Sequence, residues 1–187
     1  MTKTQNNTFI QTGILSEEDK ETIRLCNGKY LNWLNCTIVS ALVAKFLITG
    51  NKDDLKNTHM TVPPADLNNL YYKKELIFEA KNKIKIGYMG NTNSIVIEEA
   101  LKEAGKGSHA IISGGLVNTW IPRGHAMNAL NNNQEIIIVD GYSNSYYSFA
   151  EKNGYDKTIK QYNSLEAVIF YKEDIKHKDI KPLLEKW

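Results

Sequence analysis

The strongest helix signal in the chain is Asn35-Cys36-Thr37-Ile38-Val39-Ser40-Ala41-Leu42-Val43-Ala44-Lys45-Phe46-Leu47-Ile48-Thr49-Gly50. This stretch is apolar nearly all round, which is typical of a helix buried in a core, and its length favours a helix over a strand. Asn35 can cap the start and Gly50 can end it. Because strand patterns dominate from residue 108 onward, the sequence predicts an α+β fold, with this central buried helix packed on an antiparallel β-sheet.

Cys36 stands at the predicted N-terminus of this helix. A thiol attacks well only as the thiolate, and its pKa falls at a helix N-terminus and beside an imidazolium. A nucleophile at this position needs a base to take its proton and a third group to orient that base.

Two later segments offer the base and the orienting acid. His125 lies in a predicted strand, 123–130, and Asp140 closes the next, 135–140, with a turn at 131–134 between them. If the strands pair across that turn, both residues lie about six positions out, where cross-strand side chains can hydrogen-bond. The spacing therefore predicts Cys36, His125 and Asp140 as nucleophile, base and orienting acid.

The remaining segments give weaker signals. We expect residues 1–25 to form a polar tail or linker, in which Ser16 opens a short helix through Ile23, and residues 26–187 to form the catalytic domain. Other predicted helices lie at 64–79 and from 93 or 94 to 104. Other predicted strands lie at 84–88, 108–113 and 165–171, with a loop at 90–93 and a break at Gly114-Gly115.

Composition excludes several classes of function. The formal net charge is only +2 and no basic run stands out, which does not favour a nucleic-acid partner. The longest apolar run is too short and too polar to span a membrane, and residues 1–10 lack the apolar core of a signal peptide. The four His and two Cys do not fall at zinc spacings, so we expect no metal and no cofactor.

Other candidate residues have ordinary structural interpretations. Cys26 has no helix after it and is expected to be a plain buried or surface thiol. His59, His109 and His177 are expected to be satisfied histidines. His109 is the rival base because it also opens a strand, but it lacks a matching acid. Asn128 is expected to bond backbone at a strand edge.

Three motifs together carry a resemblance: Asn35-Cys36 before a buried helix, Gly124-His125-Ala126-Met127-Asn128 in a strand, and an apolar strand ending in Asp140-Gly141. In this order they resemble the papain-fold toxin domains of bacterial secreted toxins, often described as glutamine deamidases or glutaminases. The match spans roughly residues 30 to 145. Tyr142 stands where the family often has Gln.

The resemblance implies a papain-like fold and hydrolysis of an amide through a thioester. Glutamine deamidation of a target protein comes first, and peptide cleavage or transglutamination by the same triad remains an alternative. A third possibility is a papain-shaped binding module without activity. Asn32 or Asn35 is the candidate oxyanion-hole side chain, and the candidate substrate-cleft residues are Trp120, Arg123 and Tyr142.

The resemblance also implies partners and a place of action. The expected partners are a protein substrate in a target cell and a cognate immunity protein covering the Cys36 cleft. Because the chain shows no signal peptide, we expect secretion or injection by a specialised route, followed by action in the target-cell cytosol.

Overall fold

The computed structural model of the chain describes residues 8–26, 36–57, 84–116, 123–141, 145–148, 164–172 and 176–182. These residues contain helices α1 (Phe9–Thr12), α2 (Glu17–Cys26), α3 (Cys36–Thr49) and α4 (Ser94–Glu103), with a 3-10 helix at Lys52–Asn57. They also contain strands β1 (Lys85–Thr92), β2 (His109–Leu116), β3 (Arg123–Asn132), β4 (Glu135–Asp140), β5 (Ser145–Ser148), β6 (Ser164–Tyr171) and β7 (Lys181–Pro182).

The strands form one sheet in the order β5-β4-β3-β2-β6-β1-β7, and every neighbouring pair is antiparallel. Helices cover both faces. Met127 and Ala129 of β3 share a core cluster with α4, whereas Leu130 belongs to the cluster built on α2 and α3. The alternation of side chains along a strand explains this division. The predicted α+β class with an antiparallel sheet is confirmed.

Helix α3 is the buried helix that the sequence predicts. Val39, Val43 and Ala44 are fully buried, and Gly50 follows the helix with φ +67°, the left-handed conformation that ends helices. The predicted helix at 93–104 is also confirmed, because the Asn93 side chain accepts a hydrogen bond from the Val96 backbone N–H at 3.1 Å and so caps α4.

The hairpin of β3 and β4 closes with a tight turn. Asn132 pairs with Glu135, and Asn133 and Gln134 between them have φ +53° and +76°, as a type I′ turn requires. The predicted turn is therefore confirmed but shorter, with Asn131 and Asn132 belonging to β3.

Three local predictions are wrong, and two of them concern strands. Residues 90–92 continue β1 instead of forming a loop. Gly114 and Gly115 continue β2, paired with His125 and Gly124, instead of breaking it. Glycine weakens a strand but tolerates pairing on both sides, as β3 and β6 supply here. The predicted helix at 64–79 lies outside the described residues.

The third correction concerns the N-terminal segment. Residues 8–26 are not a tail, because Phe9, Ile10, Leu15 and Ile23 are all buried in the core. The Leu15 backbone N–H also donates to the Asn132 side chain at 2.9 Å. A few well-placed apolar residues in a polar stretch are enough to anchor it. In the part of the chain described, no helix is long and apolar enough to cross a membrane.

Replacing Ile23 with alanine tests this packing. Ile23 is fully buried in the α2 and α3 cluster, so its loss should leave a cavity and lower the free energy of unfolding by about 2–5 kcal/mol. Leu25 on the same helix is 58% exposed, and its alanine variant should change stability by about 0.5 kcal/mol or less. Chemical denaturation measures both, and equal small effects would show that α2 does not pack on the core.

Candidate active site

The site begins where helix α3 meets strand β3. The Asn128 side-chain amide donates to the Ser40 carbonyl at 2.9 Å, and the Ala126 backbone lies near enough to the Cys36 sulfur to lower its pKa. The helix therefore runs alongside β3 in the same direction, with Cys36 near the beginning of the strand. Its first turn carries no acidic side chain, so the positive end of the helix dipole acts on the thiol unopposed by an acidic residue of that turn.

Strands β3 and β4 bring the histidine and the aspartate together. His125 Nε2 lies 2.7 Å from Asp140 Oδ2. The hairpin pairs Asn128 with Val139, so His125 and Asp140 are diagonal neighbours and not directly opposite. Diagonal side chains lie about 7–8 Å apart at Cα, within reach of an imidazole and a carboxylate. The predicted approach of His125 to Asp140 is thus observed. The strand register differs from the prediction, which placed the two residues directly opposite each other.

The Asp140 bond assigns the two ring nitrogens of His125. Because Nε2 is engaged by the carboxylate, Nδ1 is the nitrogen left to exchange a proton with Cys36, whose thiol lies near enough for the two groups to shift each other's pKa. An acid that holds one nitrogen fixes the tautomer and the orientation of the ring. The Asp140 side chain is 5% exposed and that of His125 is 20% exposed, so the pair is shielded but the imidazole reaches the surface.

The surroundings of Cys36 favour the thiolate. Burial alone would raise its pKa, but the hydrogen bond and charge of His125, the Ala126 backbone and the Thr37 hydroxyl together lower the pKa below its ordinary value. Thr37 Oγ1 lies 3.8 Å from the sulfur. A thiol with a lowered pKa beside an imidazole is the environment of a reactive cysteine.

The same contacts favour the protonated form of His125. Burial would lower its pKa, but the hydrogen bonds and charges of Asp140 and Cys36 outweigh burial and raise the pKa to about 10. Thiolate and imidazolium stabilise each other, so the two groups titrate as a pair. The arrangement thus joins a thiol whose pKa is lowered, an imidazole whose pKa is raised and the Asp140 carboxyl group in one connected chain.

Gly141 lets the helix approach this end of the sheet. A Cβ at Gly141 would lie 2.9 Å from Val39 Cγ1 and 3.3 Å from Val43 Cγ2, closer than side chains tolerate. Any larger residue would push α3 away from β4. Glycine after Asp140 is therefore explained by helix packing, whereas its sequence suggested only a strand-end turn.

The rival cysteine and histidine have other environments. Burial raises the pKa of Cys26 to about 12, so this thiol is not activated. His109 is fully buried, stacks on Phe170 with ring centroids 4.9 Å apart and lies 3.3 Å from the Gly107 carbonyl. Burial lowers its pKa to about 4 and keeps it neutral. His109 is thus a core histidine on β2, but the prediction that it is satisfied is only partly right, because its Nε2 is buried with no hydrogen-bond partner among the described residues.

The other predicted site residues are described only in part. Asn32, Asn35, Trp120 and Tyr142 lie outside the described residues, as does His59. Arg123 opens β3, but the structure describes only its backbone. His177 accepts a hydrogen bond from the Asp179 backbone, as expected of a structural histidine. Asn128 bonds backbone as predicted, although the carbonyl belongs to α3 and not to a strand edge.

Two contributors to the site were not predicted. The Thr37 hydroxyl lies 3.8 Å from the Cys36 sulfur, and the Ala126 backbone also lowers the pKa of this thiol. A hydroxyl residue directly after a cysteine at a helix start is a sequence signal for the first contact. The second depends on how α3 lies against β3, which no local pattern shows.

Within the described residues, no group of three or more His, Cys, Asp and Glu side chains could hold a metal ion. The chain matches no protein-family model, and no curated protein and no solved structure is significantly similar to it.

Proposed function

We propose that the chain is a cysteine-dependent amidohydrolase with a papain-like architecture, which deamidates a glutamine side chain of a target protein. The observation that carries the proposal is the contact of Cys36, at the start of buried helix α3, with His125, which Asp140 holds at 2.7 Å. Support for the glutamine substrate comes from the Asn-Cys, Gly-His and Asp-Gly motifs and their resemblance to papain-fold toxin domains.

The reaction follows from these groups. The Cys36 thiolate attacks the side-chain amide carbon of glutamine, and the negative charge moves to the carbonyl oxygen. Backbone N–H groups in the first turn of α3 have no partner within the helix, and the Cys36 N–H is our candidate donor to that oxygen. His125 then gives its proton to the leaving nitrogen, ammonia departs and a thioester remains.

The second half regenerates the enzyme. Neutral His125 takes a proton from water through Nδ1, and the hydroxide attacks the thioester carbon. The thioester bond breaks, glutamate is formed, and the thiolate and imidazolium are restored. Asp140 stabilises the imidazolium in both halves. On β2, Gly114 pairs with His125, so no side chain at that position of β2 covers the imidazole.

We extend this proposal to the location of the substrate and to the partners of the chain. We propose that the substrate protein is in a target cell, reached by a specialised export route, and that a cognate immunity protein covers the Cys36 cleft. Peptide cleavage and transfer to an amine share the thioester step, so the products separate them: a cut chain, an amine adduct, or free ammonia with glutamate.

The test is alkylation of the two cysteines by substoichiometric iodoacetamide at about pH 6, read by peptide mass. We expect selective labelling of Cys36, because its thiol pKa is lowered, with Cys26 as an unreactive reference in the same molecule. In His125→Ala the selectivity should disappear, since the imidazolium is gone. Slow labelling of Cys36 that does not depend on His125 would count against the enzyme and favour the binding-module alternative.

A further inference from the structure

A buried amide lies three residues beyond His125 on the same strand. Asn128 is fully buried, and its Nδ2 donates to the Ser40 carbonyl of α3 at 2.9 Å. Since Ser40 follows Cys36 by about one helical turn, this bond joins the strand that carries His125 to the helix that carries Cys36. On β4, Asn128 pairs with Val139, the residue before Asp140.

Stability alone does not explain an asparagine here. Its Oδ1 is buried and has no hydrogen-bond partner among the residues that the structure describes. A buried polar atom left unpaired is unfavourable, and an apolar side chain of the same size often replaces such a group without loss of stability. Its strand neighbours Ile111 and Val139 are apolar and fully buried, so the position would suit an apolar residue.

The bond has a geometric consequence that apolar packing lacks. Apolar contacts between α3 and the sheet are non-directional and tolerate small slides of the helix along its axis. A hydrogen bond from a strand side chain to one helix carbonyl is directional, so it fixes both the axial position and the rotation of α3. Sliding the helix would carry Cys36 along β3 and away from His125.

We infer that Asn128 is a positioning residue: its bond to the Ser40 carbonyl sets the position of α3 on β3 and so holds the Cys36 sulfur against His125. This inference rests on the proposed function. Asn128 touches neither the sulfur nor the imidazole in any bond of the structure, and it acts through the helix.

Asn131 on the same strand is a matched control. It is also buried, and its Nδ2 donates to the Leu101 carbonyl of the other helix, α4, at 2.8 Å. Its Oδ1 accepts from the Gln134 backbone at 2.8 Å, so both ends are satisfied. The two asparagines thus make the same kind of strand-to-helix bond, but only Asn128 joins the helix of Cys36.

The experiment compares Asn128→Leu and Asn131→Leu with the wild type, measuring the melting temperature and the rate of Cys36 alkylation across a range of pH. Asn128→Leu should melt close to the wild type, while alkylation at about pH 6 slows about tenfold and the midpoint of the curve rises by about one pH unit. Asn131→Leu should melt earlier and keep the wild-type alkylation curve.

Two results would overturn the inference. One is an Asn128→Leu protein that folds and keeps the wild-type alkylation curve. The other is failure of both Asn128→Leu and the smaller Asn128→Val to fold, because Asn128 would then serve the fold and not the position of Cys36. If the wild type itself lacks a fast thiol, the proposed function fails, which is a separate outcome from either of these.

Discussion

Replacing Cys36 with alanine is expected to abolish ammonia release from the protein substrate, with a loss of at least about 10³-fold. No other described group can form the thioester, since Cys26 is the chain's second cysteine and burial raises its pKa to about 12. Cys36 is the first residue of α3 and only partly buried, so the fold should persist. Ammonia assays on cell lysates, with the melting temperature measured in parallel, check both expectations.

Cys26→Ala is the matched control for this experiment. It removes the other thiol from a position that packs beside Gly141, close to the site. We expect its ammonia release to stay near the wild-type level. Full activity in Cys36→Ala, or toxicity to cells that survives this change, would remove the cysteine-hydrolase proposal.

The elements that the sequence predicts best are long or sharply bounded. Helix α3 carries an uninterrupted apolar pattern with a glycine at its end, and its structure, Cys36–Thr49, agrees with the prediction. Strand β4 is an apolar run between a polar turn and Asp140, and its observed bounds are those predicted. In both cases the local pattern and the tertiary environment favour the same structure.

The errors arise where tertiary contacts override a local pattern. Residues 8–26 are mostly polar, yet Phe9 and Ile23 find places in a core made by distant segments. Gly114-Gly115 looks like a break, but pairing to β3 on one side and β6 on the other holds both residues in strand conformation. Neither environment can be inferred from the adjacent residues.

Some contacts of the candidate site could be predicted from the sequence and others could not. Hairpin pairing made the approach of His125 and Asp140 predictable, although the tight turn at Asn133 and Gln134 makes the contact diagonal. The packing of α3 against Gly141 and the helix carbonyl that Asn128 bonds were not predictable, because each depends on how α3 lies against the sheet. Sequence spacing can predict contacts between the two strands of a hairpin. It cannot predict contacts between a strand and a helix that are far apart in the sequence.

Removing Asp140 gives the second large expected effect. Asp140→Ala deletes the bond at 2.7 Å that holds His125 Nε2, and removes the hydrogen bond and charge that, together with Cys36, raise the His125 pKa to about 10. Burial then acts unopposed by Asp140 and lowers that pKa, so less imidazolium faces Cys36 and the thiol pKa rises. We expect ammonia release at neutral pH to fall by about 10³- to 10⁴-fold. Steady-state assays measure it.

Asp140→Asn separates charge from orientation. The asparagine Oδ1 can still accept the Nε2–H bond and hold the ring, but it carries no charge. This variant should therefore keep more activity than Asp140→Ala, while its Cys36 alkylation curve moves toward higher pH because the imidazolium is less stable. If both variants lose activity equally and leave the alkylation curve unchanged, Asp140 does not act through the imidazolium.

The pH dependence of folding stability should report the positive charge of His125. Because the folded pKa of His125 is raised to about 10, the stabilisation from its protonated form is complete below its unfolded pKa, about 6.5, and is lost as pH rises through about 10. The wild type should thus exceed Asp140→Ala in melting temperature most clearly below about pH 6.5, with the gap narrowing as the pH rises toward 10. A gap that stays constant between about pH 6.5 and pH 10 would mean that His125 is neutral in the folded protein, and the thiolate of Cys36 would then lack its counter-charge.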